Sequence, residues 1–170
     1  MTNQKKSLTK TYELELLKKV ISEPPVYIVP IGIPACGKTY FRPSYCFILC
    51  KDDLRYSIYN KQSTYESKFE NVIGNIELEL FKILLRENVN IYKDSTNLNR
   101  NHRFLFSEMA YRKGYNIKYW IFRNYKQAIK RNSERKRIVP DMKYFVKKMK
   151  SDYPDKIEIK KFNVEVNFID

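Results

Sequence analysis

Residues 26 to 39 read VYIVPIGIPACGKT, and this stretch predicts the fold. Its first six residues form an apolar run with the length and composition of a buried β-strand. The next eight, from Gly32 to Thr39, fit the pattern G-x-x-x-x-G-K-[ST] at every fixed position. A strand that runs directly into such a segment is the context of a phosphate-binding loop, in which successive backbone N–H groups surround phosphate oxygens.

The residues of this loop have expected roles toward a nucleoside triphosphate. Lys38 would reach the β- and γ-phosphates, and the Thr39 hydroxyl would ligate Mg²⁺. The alternative is a turn that ends a strand and binds no ligand. The predicted ATP site therefore comprises Gly32, Ile33, Pro34, Ala35, Cys36, Gly37, Lys38 and Thr39.

Strands alternate with helices along the rest of the chain. A capping box at Ser63 and Glu66 predicts the start of one long helix. Apolar periodicity predicts that one face of this helix is buried, with Tyr65, Phe69, Val72, Ile73, Ile76, Leu80, Ile83 and Leu84. The alternation predicts a mostly parallel sheet covered on both faces, in a single α/β domain over residues 1–170 with the first helix as an appendage. Periodicity predicts strands at residues 26–31, 45–50, 89–94, 116–122 and 164–169, and further helices at residues 1–24, 99–113, 125–134 and 140–150.

Composition narrows the class of protein. The hydrophobic share of 43% is typical of a globular chain, and no apolar run approaches the length of a membrane span. The N-terminal residues lack an apolar signal region. Three cysteines without a spacing pattern and one histidine predict neither a disulfide framework nor a zinc site. We therefore expect an intracellular, cytoplasmic protein without a membrane partner.

The charge is strongly positive and unevenly distributed. The formal net charge is +14, and residues 126–150 contain ten Lys or Arg against two acidic residues, a net of +8. Such a segment is typical of a surface that binds a polyanion, because each neutralised phosphate releases counterions. A solvated lysine-rich face is an equally good interpretation of charge alone.

Polar residues follow the second predicted strand at the point where it ends. Asp52 and Arg55 are three residues apart and would share one face of a helix. The carboxylate could accept a proton from an attacking hydroxyl, and the guanidinium could hold an anionic substrate. An acidic first helical turn without a catalytic role is the alternative.

The third and fourth strands are followed by further candidates. Asp94 is placed like the acid that helps to hold Mg²⁺ in P-loop enzymes, although it could merely begin a capping loop. Arg131 and Arg135, four residues apart, could close over the triphosphate, or could belong to a basic solvent face. Because ligands bind beyond the carboxyl ends of parallel strands, these residues and Asp52 would meet in one crevice. That arrangement predicts a phosphotransferase.

Four segments together resemble the kinase domain of phage-type 5′-hydroxyl polynucleotide kinases. They are GIPACGKT, KDDLRYSI, DSTNLN with Arg103 following, and IKRNSERKRIVP, and the similarity covers about residues 26–150. The resemblance implies a P-loop kinase fold with strand order 2-3-1-4-5. It also implies transfer of the γ-phosphoryl group of ATP, with Mg²⁺, to the 5′-OH end of RNA or DNA, as in nucleic-acid end repair.

The resemblance also implies individual roles. Asp52 would be the general base, and Arg55, with Thr96 and Arg103, would bind the acceptor. Arg135 would be the lid arginine, supported by Arg131, in a basic lid region over about residues 125–150. Lys38 and Thr39 would bind the phosphates and Mg²⁺, and Asp94 would bind Mg²⁺ through water.

The chain departs from the family pattern at several positions. Ala35 and Cys36 stand where the family usually has Gly-Ser, and Pro43 predicts a much shorter helix after the loop. Pro30 lacks a ladder donor, so we expect it near the end of its strand.

Other functions stay open. A kinase of the same fold acting on a nucleotide or another small molecule would keep Lys38 and Asp52 but would not need the basic stretch. An NTP-binding nucleic-acid protein would need no base at Asp52. A structural module would need neither residue.

Overall fold

Five parallel strands form one sheet in the computed structural model, which describes residues 23–59, 67–136 and 138–170. The predicted N-terminal helix, apart from its last two residues, and the predicted capping box lie outside the described residues. The strands are β1 (Val26–Ile31), β2 (Phe47–Cys50), β3 (Ile91–Asp94), β4 (Asn116–Phe122) and β5 (Glu165–Ile169).

Helices connect these strands, and most begin and end near the predicted residues. The helix at residues 125–134 is confirmed to the residue, as are the strands at 26–31 and 116–122. The short helix after the loop, which Pro43 predicted, is a 3-10 helix (Lys38–Phe41). The α-helices of the described residues are α1 (Lys51–Tyr59), α2 (Ser67–Arg86), α3 (Arg100–Arg112), α4 (Tyr125–Glu134), α5 (Met142–Ser151) and α6 (Lys156–Lys161).

The strand order is β2-β3-β1-β4-β5, and every neighbouring pair is parallel. This is the order that the family resemblance implied. Because all strands run the same way, the loops after β1, β2, β3 and β4 leave the sheet at one edge. The candidate residues that follow these strands therefore lie along that edge.

Pro30 is the second-to-last residue of β1, as expected from its missing N–H. On the β4 side, β1 pairs over its whole length, but on the β3 side the pairing covers only Tyr27 and Ile28. The Pro30 carbonyl accepts a hydrogen bond of 2.7 Å from Asn97 Nδ2, in the loop after β3. Pro30 thus stands where β3 has already separated from β1 and no ladder donor is needed.

Part of the core lies between the sheet and helices α2 and α3, and helices α4 and α5 contribute further buried residues. Residues 27 to 31 of β1 are all buried, so both faces of this central strand are covered. On one face the Tyr27 ring packs against Phe81 of α2 at a centroid distance of 5.1 Å, and Phe81 packs against Phe106 of α3 at 4.8 Å. These aromatic contacts fix α2 and α3 on the strand that leads into the loop.

The buried face of α2 differs from the face that apolar periodicity predicted. Val72 and Ile83, which were expected in the core, are 49% and 41% exposed, whereas Glu77 is fully buried between Ile73 and Phe81. Glu77 can be buried because its carboxylate is paired with a buried cation, the ammonium of Lys93 in β3, at 2.5 Å. An acidic residue thus occupies the centre of the packed face.

Helix α6 was not predicted. Its six residues, KIEIKK, are too short and too polar for a periodic signal. The helix is held at its start, where Asp155 Oδ1 accepts a 2.7 Å hydrogen bond from the Glu158 amide, and by burial of the Glu158 side chain.

Candidate active site

The loop from Gly32 to Thr39 has the backbone of a phosphate-binding turn. Gly32 leaves no room for a side chain, because an added Cβ would lie 2.6 Å from Cys36 Sγ and 2.9 Å from Phe122 Cβ. Gly37 has φ of 105° and Ala35 has φ of 61°, both in the left-handed region. Ala35 therefore adopts a conformation that glycine reaches more easily, at the position where the resembled family usually has glycine.

The ammonium of Lys38 lies inside this loop. It donates hydrogen bonds to the carbonyls of Gly32 at 2.9 Å and Ile33 at 2.8 Å, and it contacts Cys36 Sγ at 3.4 Å. The Tyr92 hydroxyl, from β3, donates to the Lys38 carbonyl at 2.7 Å. The loop therefore encloses a positive charge at the turn where the motif places phosphate groups.

Thr39 and Asp94 meet beside this charge. The Thr39 hydroxyl donates a 3.0 Å hydrogen bond to Asp94 Oδ2, and the Asp94 side chain is 6% exposed. Because the hydroxyl hydrogen is directed at Asp94, the lone pairs of Thr39 Oγ1 stay available to a cation. A hydroxyl and a carboxylate are the hard oxygen ligands that Mg²⁺ prefers. The residues present thus fit the metal site that the motif predicts.

A second cation also reaches Asp94. Arg42, the residue after the 3-10 helix, donates from Nε to Asp94 Oδ2 at 2.7 Å and from Nη2 to Asp53 Oδ2 at 3.2 Å. Arg42 was not among the predicted site residues. The signal that could have identified Arg42 is the proline after it. Because Pro43 ends the helix close to the phosphate-binding loop, the residue before it stays near that loop.

The predicted base lies at the start of α1. Asp52 and Arg55 are in contact across one turn of this helix, as their spacing predicted. Arg55 also binds Glu70 of α2 through two hydrogen bonds of 2.7 and 2.9 Å. The hydrogen bond from Arg55 holds the pKa of Glu70 below its usual value. A phosphate group that approached Arg55 would therefore compete with Glu70, a residue that the sequence did not single out.

The two candidate lid arginines line one cleft with the loop. The cleft has a volume of about 630 Å³, and its walls include residues 35–41 together with Arg131 and Arg135. Arg131 lies against the loop, since its Nη1 would be 3.7 Å from a Cβ built on Gly37. Sequence reasoning did not assign the other lining residues, which include Tyr40, Phe41, Asn124 and Gln127.

Arg103, which the resemblance placed among the acceptor-binding residues, does not line this cleft. Its side chain is fully buried, and it binds Glu158 through hydrogen bonds of 3.1 and 3.0 Å. It also donates to the carbonyls of Asn97, Leu98 and Asp152. A guanidinium that is fully used inside the protein ties α3 to α6 and has no donor left for a substrate.

Thr96 lies in the loop after β3, close to the phosphate-binding loop. Its carbonyl accepts a 3.1 Å hydrogen bond from the Gly32 amide. The next residue, Asn97, has φ of 49° and donates to the Pro30 and Lys93 carbonyls at 2.7 and 2.9 Å. The TNLN segment therefore fixes the backbone at the carboxyl end of β1, and its observed contacts are with the protein.

Residues 28–147 match the family AAA_33, which is described as an AAA domain. The match spans more than two thirds of the chain. The chain belongs to the AAA_33 family. No curated protein matches it.

Solved structures share the fold of this AAA_33 domain. One comes from the PezAT chromosomal toxin–antitoxin system of Streptococcus pneumoniae; it is 14% identical with a TM-score of 0.58, and the alignment covers 86% of this chain and 69% of that chain. Another is a candidate kinase from Chloroflexus aurantiacus, 10% identical with a TM-score of 0.53, for which the coverage is 86% and 89%. This likeness shows a P-loop kinase-like fold, with a five-stranded parallel sheet.

None of the helices in the part of the chain that the structure describes has the length and apolar character needed to cross a membrane.

Proposed function

We propose that this domain transfers the γ-phosphoryl group of ATP to the 5′-hydroxyl end of a polynucleotide. The observation that supports this most directly is the pairing of Asp52 with Arg55 at the start of α1. It provides a carboxylate for an acceptor hydroxyl and a guanidinium for an acceptor phosphate, directly after β2, the strand that pairs with the Asp94 strand β3. The segments KDDLRYSI and IKRNSERKRIVP favour a polynucleotide as the acceptor.

The donor side of the reaction would use the loop and the lid. Lys38, Arg131 and Arg135 would neutralise charge on the transferring phosphoryl group. Thr39, and Asp94 through water, would hold Mg²⁺, which when bound would neutralise negative charge on the phosphates.

The acceptor side would use the first turn of α1. The Asp52 carboxylate would take the proton of the acceptor hydroxyl while the hydroxyl oxygen bonds to the γ-phosphorus. The bond from this phosphorus to the β–γ bridging oxygen breaks, and ADP leaves. Arg55 would bind the phosphate beside the terminal nucleotide, in exchange for part of its contact with Glu70. Replacing Asp52 with Asn is expected to cost about 10²- to 10⁴-fold in rate.

The basic segment gives a reason to favour a polymeric acceptor. Among its described residues, Lys126, Lys130, Lys143 and Lys147 are exposed on α4 and α5. An oligonucleotide bound to such a surface would lose affinity with salt, by a log–log slope of about −0.7 for each phosphate contacted on a single strand.

A kinase of a nucleotide or another small hydroxyl compound is the second candidate. One observation favours it: Arg55 is held by the Glu70 carboxylate and is only 13% exposed. An acceptor without a phosphate beside its hydroxyl would leave this pair undisturbed.

One phosphorylation series separates the two candidates. Wild-type protein and the Lys38→Ala variant, as the inactive control, are incubated with labelled ATP and Mg²⁺. The acceptors are a nucleoside, a 3′-nucleotide and 5′-OH oligonucleotides of RNA and DNA, each at two salt concentrations. The proposal predicts that kcat/KM rises along this series and that only the last increase is strongly salt-sensitive. A nucleoside that matches the oligonucleotide at both salt concentrations identifies the small-molecule kinase instead.

A further inference from the structure

One guanidinium joins the donor side of the site to the acceptor side. Arg42 binds Asp94 Oδ2 with Nε at 2.7 Å, and it binds Asp53 Oδ2 with Nη2 at 3.2 Å. Asp94 ends β3 and also accepts the Thr39 hydroxyl hydrogen bond. Asp53 lies in the first turn of α1, directly after the candidate base Asp52.

The local backbone holds Arg42 in this position. The 3-10 helix after the loop ends at Phe41, and the Arg42 amide closes it by donating to the Thr39 carbonyl at 3.4 Å. Arg42 has φ of −57° and ψ of 118°, outside the helical region that a following proline disfavours. Because Pro43 ends the short helix, Arg42 is not part of it, and its side chain extends to Asp94.

The chemistry of the bridge requires arginine. Its planar fork presents N–H groups in fixed directions, so one side chain can bind two separate carboxylates. A lysine ammonium is a single point charge and cannot reproduce both contacts at the same geometry. The Asp94 end is sheltered, at 6% side-chain exposure, and the Asp53 end is 63% exposed. The Arg42 guanidinium therefore binds one sheltered carboxylate, that of Asp94, and one exposed carboxylate, that of Asp53 on α1.

We propose that Arg42 is a positioning residue, which holds the first turn of α1, and with it Asp52, at a fixed distance from the phosphate-binding loop. This inference rests on the proposed function, in which Asp52 is the base. A displacement of about 1 Å at the reacting groups can cost about 10²-fold in rate, so the bridge would act on kcat more than on stability.

The kinetic test compares Arg42→Gln, Arg42→Lys and Asp53→Asn with wild type. Both Arg42 variants should lower kcat about 10- to 100-fold while the equilibrium dissociation constant for ATP stays within about 2-fold, because Lys38 and the rest of the phosphate-binding loop are unchanged. Asp53→Asn should lower kcat by less. The double variant Arg42→Gln with Asp53→Asn should be no slower than Arg42→Gln alone, since both remove the same bridge.

The matched control is Arg112→Gln, which breaks an exposed ion pair with Glu108 on α3 and should leave kcat unchanged. Wild-type kcat for Arg42→Lys would overturn the proposal, because one positive charge would then suffice. A large rise in the ATP dissociation constant would also overturn it, because Arg42 would then bind the nucleotide directly. Additive losses in the double variant would show that Asp53 acts without Arg42.

Amide hydrogen exchange tests the bridge without any acceptor. Amides of α1 should exchange faster in Arg42→Gln and in Asp53→Asn than in wild type, while amides of β4 keep their protection. If wild type transfers phosphate to no 5′-OH end but this exchange pattern is found, the proposed function fails and the bridge stands. If exchange of α1 is unchanged, or if all elements lose protection together, the positioning role of Arg42 is wrong.

Discussion

The Thr39 hydroxyl donates a hydrogen bond to Asp94 Oδ2 at 3.0 Å, although 55 residues separate the two along the chain. The sheet brings them together, because β1 and β3 are parallel neighbours and both end at the same edge. The Thr39 hydroxyl hydrogen points at Asp94, so the lone pairs of the hydroxyl oxygen can face a cation. A side chain from the loop and a carboxylate from the next strand thereby form one candidate metal site.

Replacing Asp94 with Asn should weaken the use of Mg²⁺. An amide oxygen can still accept the Thr39 hydrogen bond, but the negative charge that orients bound water is lost. We expect a higher Mg²⁺ concentration for half-maximal transfer and a kcat lower by about 10²-fold. A titration of Mg²⁺ at saturating ATP measures this, with Asp155→Asn, at the N-cap of α6, as the control. An unchanged Mg²⁺ requirement would remove Asp94 from the metal site.

Replacing Lys38 with Ala should abolish transfer and also lower stability. The Lys38 ammonium donates to two loop carbonyls, Gly32 and Ile33, and the variant leaves both without this donor. A buried acceptor without a partner costs about 1–3 kcal/mol. Transfer assays and thermal unfolding of the same preparation measure both effects. A folded variant with near-normal turnover would contradict the assignment of the loop.

The sequence predicted most of the elements, because they depend on local periodicity. It also predicted that the candidate residues follow strands ending at one edge of the sheet, because parallel strands run in one direction. It could not predict which charged residues are buried. Arg103 and Glu77 look like surface residues in a charged sequence, yet each is paired in the interior with a residue that is distant in the chain. The partner Lys93 lies in a strand, where a buried lysine breaks the apolar pattern. The burial of such residues depends on ion pairs between segments that are separate in the sequence. Local periodicity carries no information about these pairs.

The lid arginines should differ in their contribution to catalysis. Arg131 and Arg135 both line the cleft with the loop. The family resemblance assigns the transferring phosphates to Arg135 and a supporting role to Arg131. We expect Arg135→Ala to lower kcat by about 10²-fold or more and Arg131→Ala to lower it less. Steady-state kinetics at saturating acceptor decide this. If Arg135→Ala changes only the KM of the acceptor, this arginine belongs to the nucleic-acid surface.

The buried pair of Glu77 and Lys93 should be costly to break. Both side chains are 1% exposed, and Lys93 also lies over the Phe106 ring at 4.4 Å. Removal of one partner leaves a buried charge without compensation, which costs about 3–5 kcal/mol. Glu77→Ala should therefore lower the free energy of unfolding by that amount in a denaturant titration. The neighbouring Glu79→Ala, which breaks an exposed pair with Lys82, should change it by less than about 1 kcal/mol. Equal effects would mean that burial of the pair is unimportant.

His102 should make the protein less stable in mild acid. Partial burial of the ring, whose side chain is 39% exposed, lowers the pKa of His102 to about 4, together with the nearby positive charge of Lys93. A histidine of the unfolded chain titrates near 6.5, so the unfolded state binds this proton first as the pH falls. The contribution of His102 to the free energy of unfolding is therefore fully present above about pH 6.5, and it declines between that pH and about 4.

Denaturant titrations of wild type and His102→Gln at pH 7, 5.5 and 4.5 isolate this contribution, because the other titrating groups are common to both. The stability of wild type relative to the variant should fall across the series. A difference that stays constant with pH would show that His102 is protonated as easily in the folded protein as in the unfolded chain.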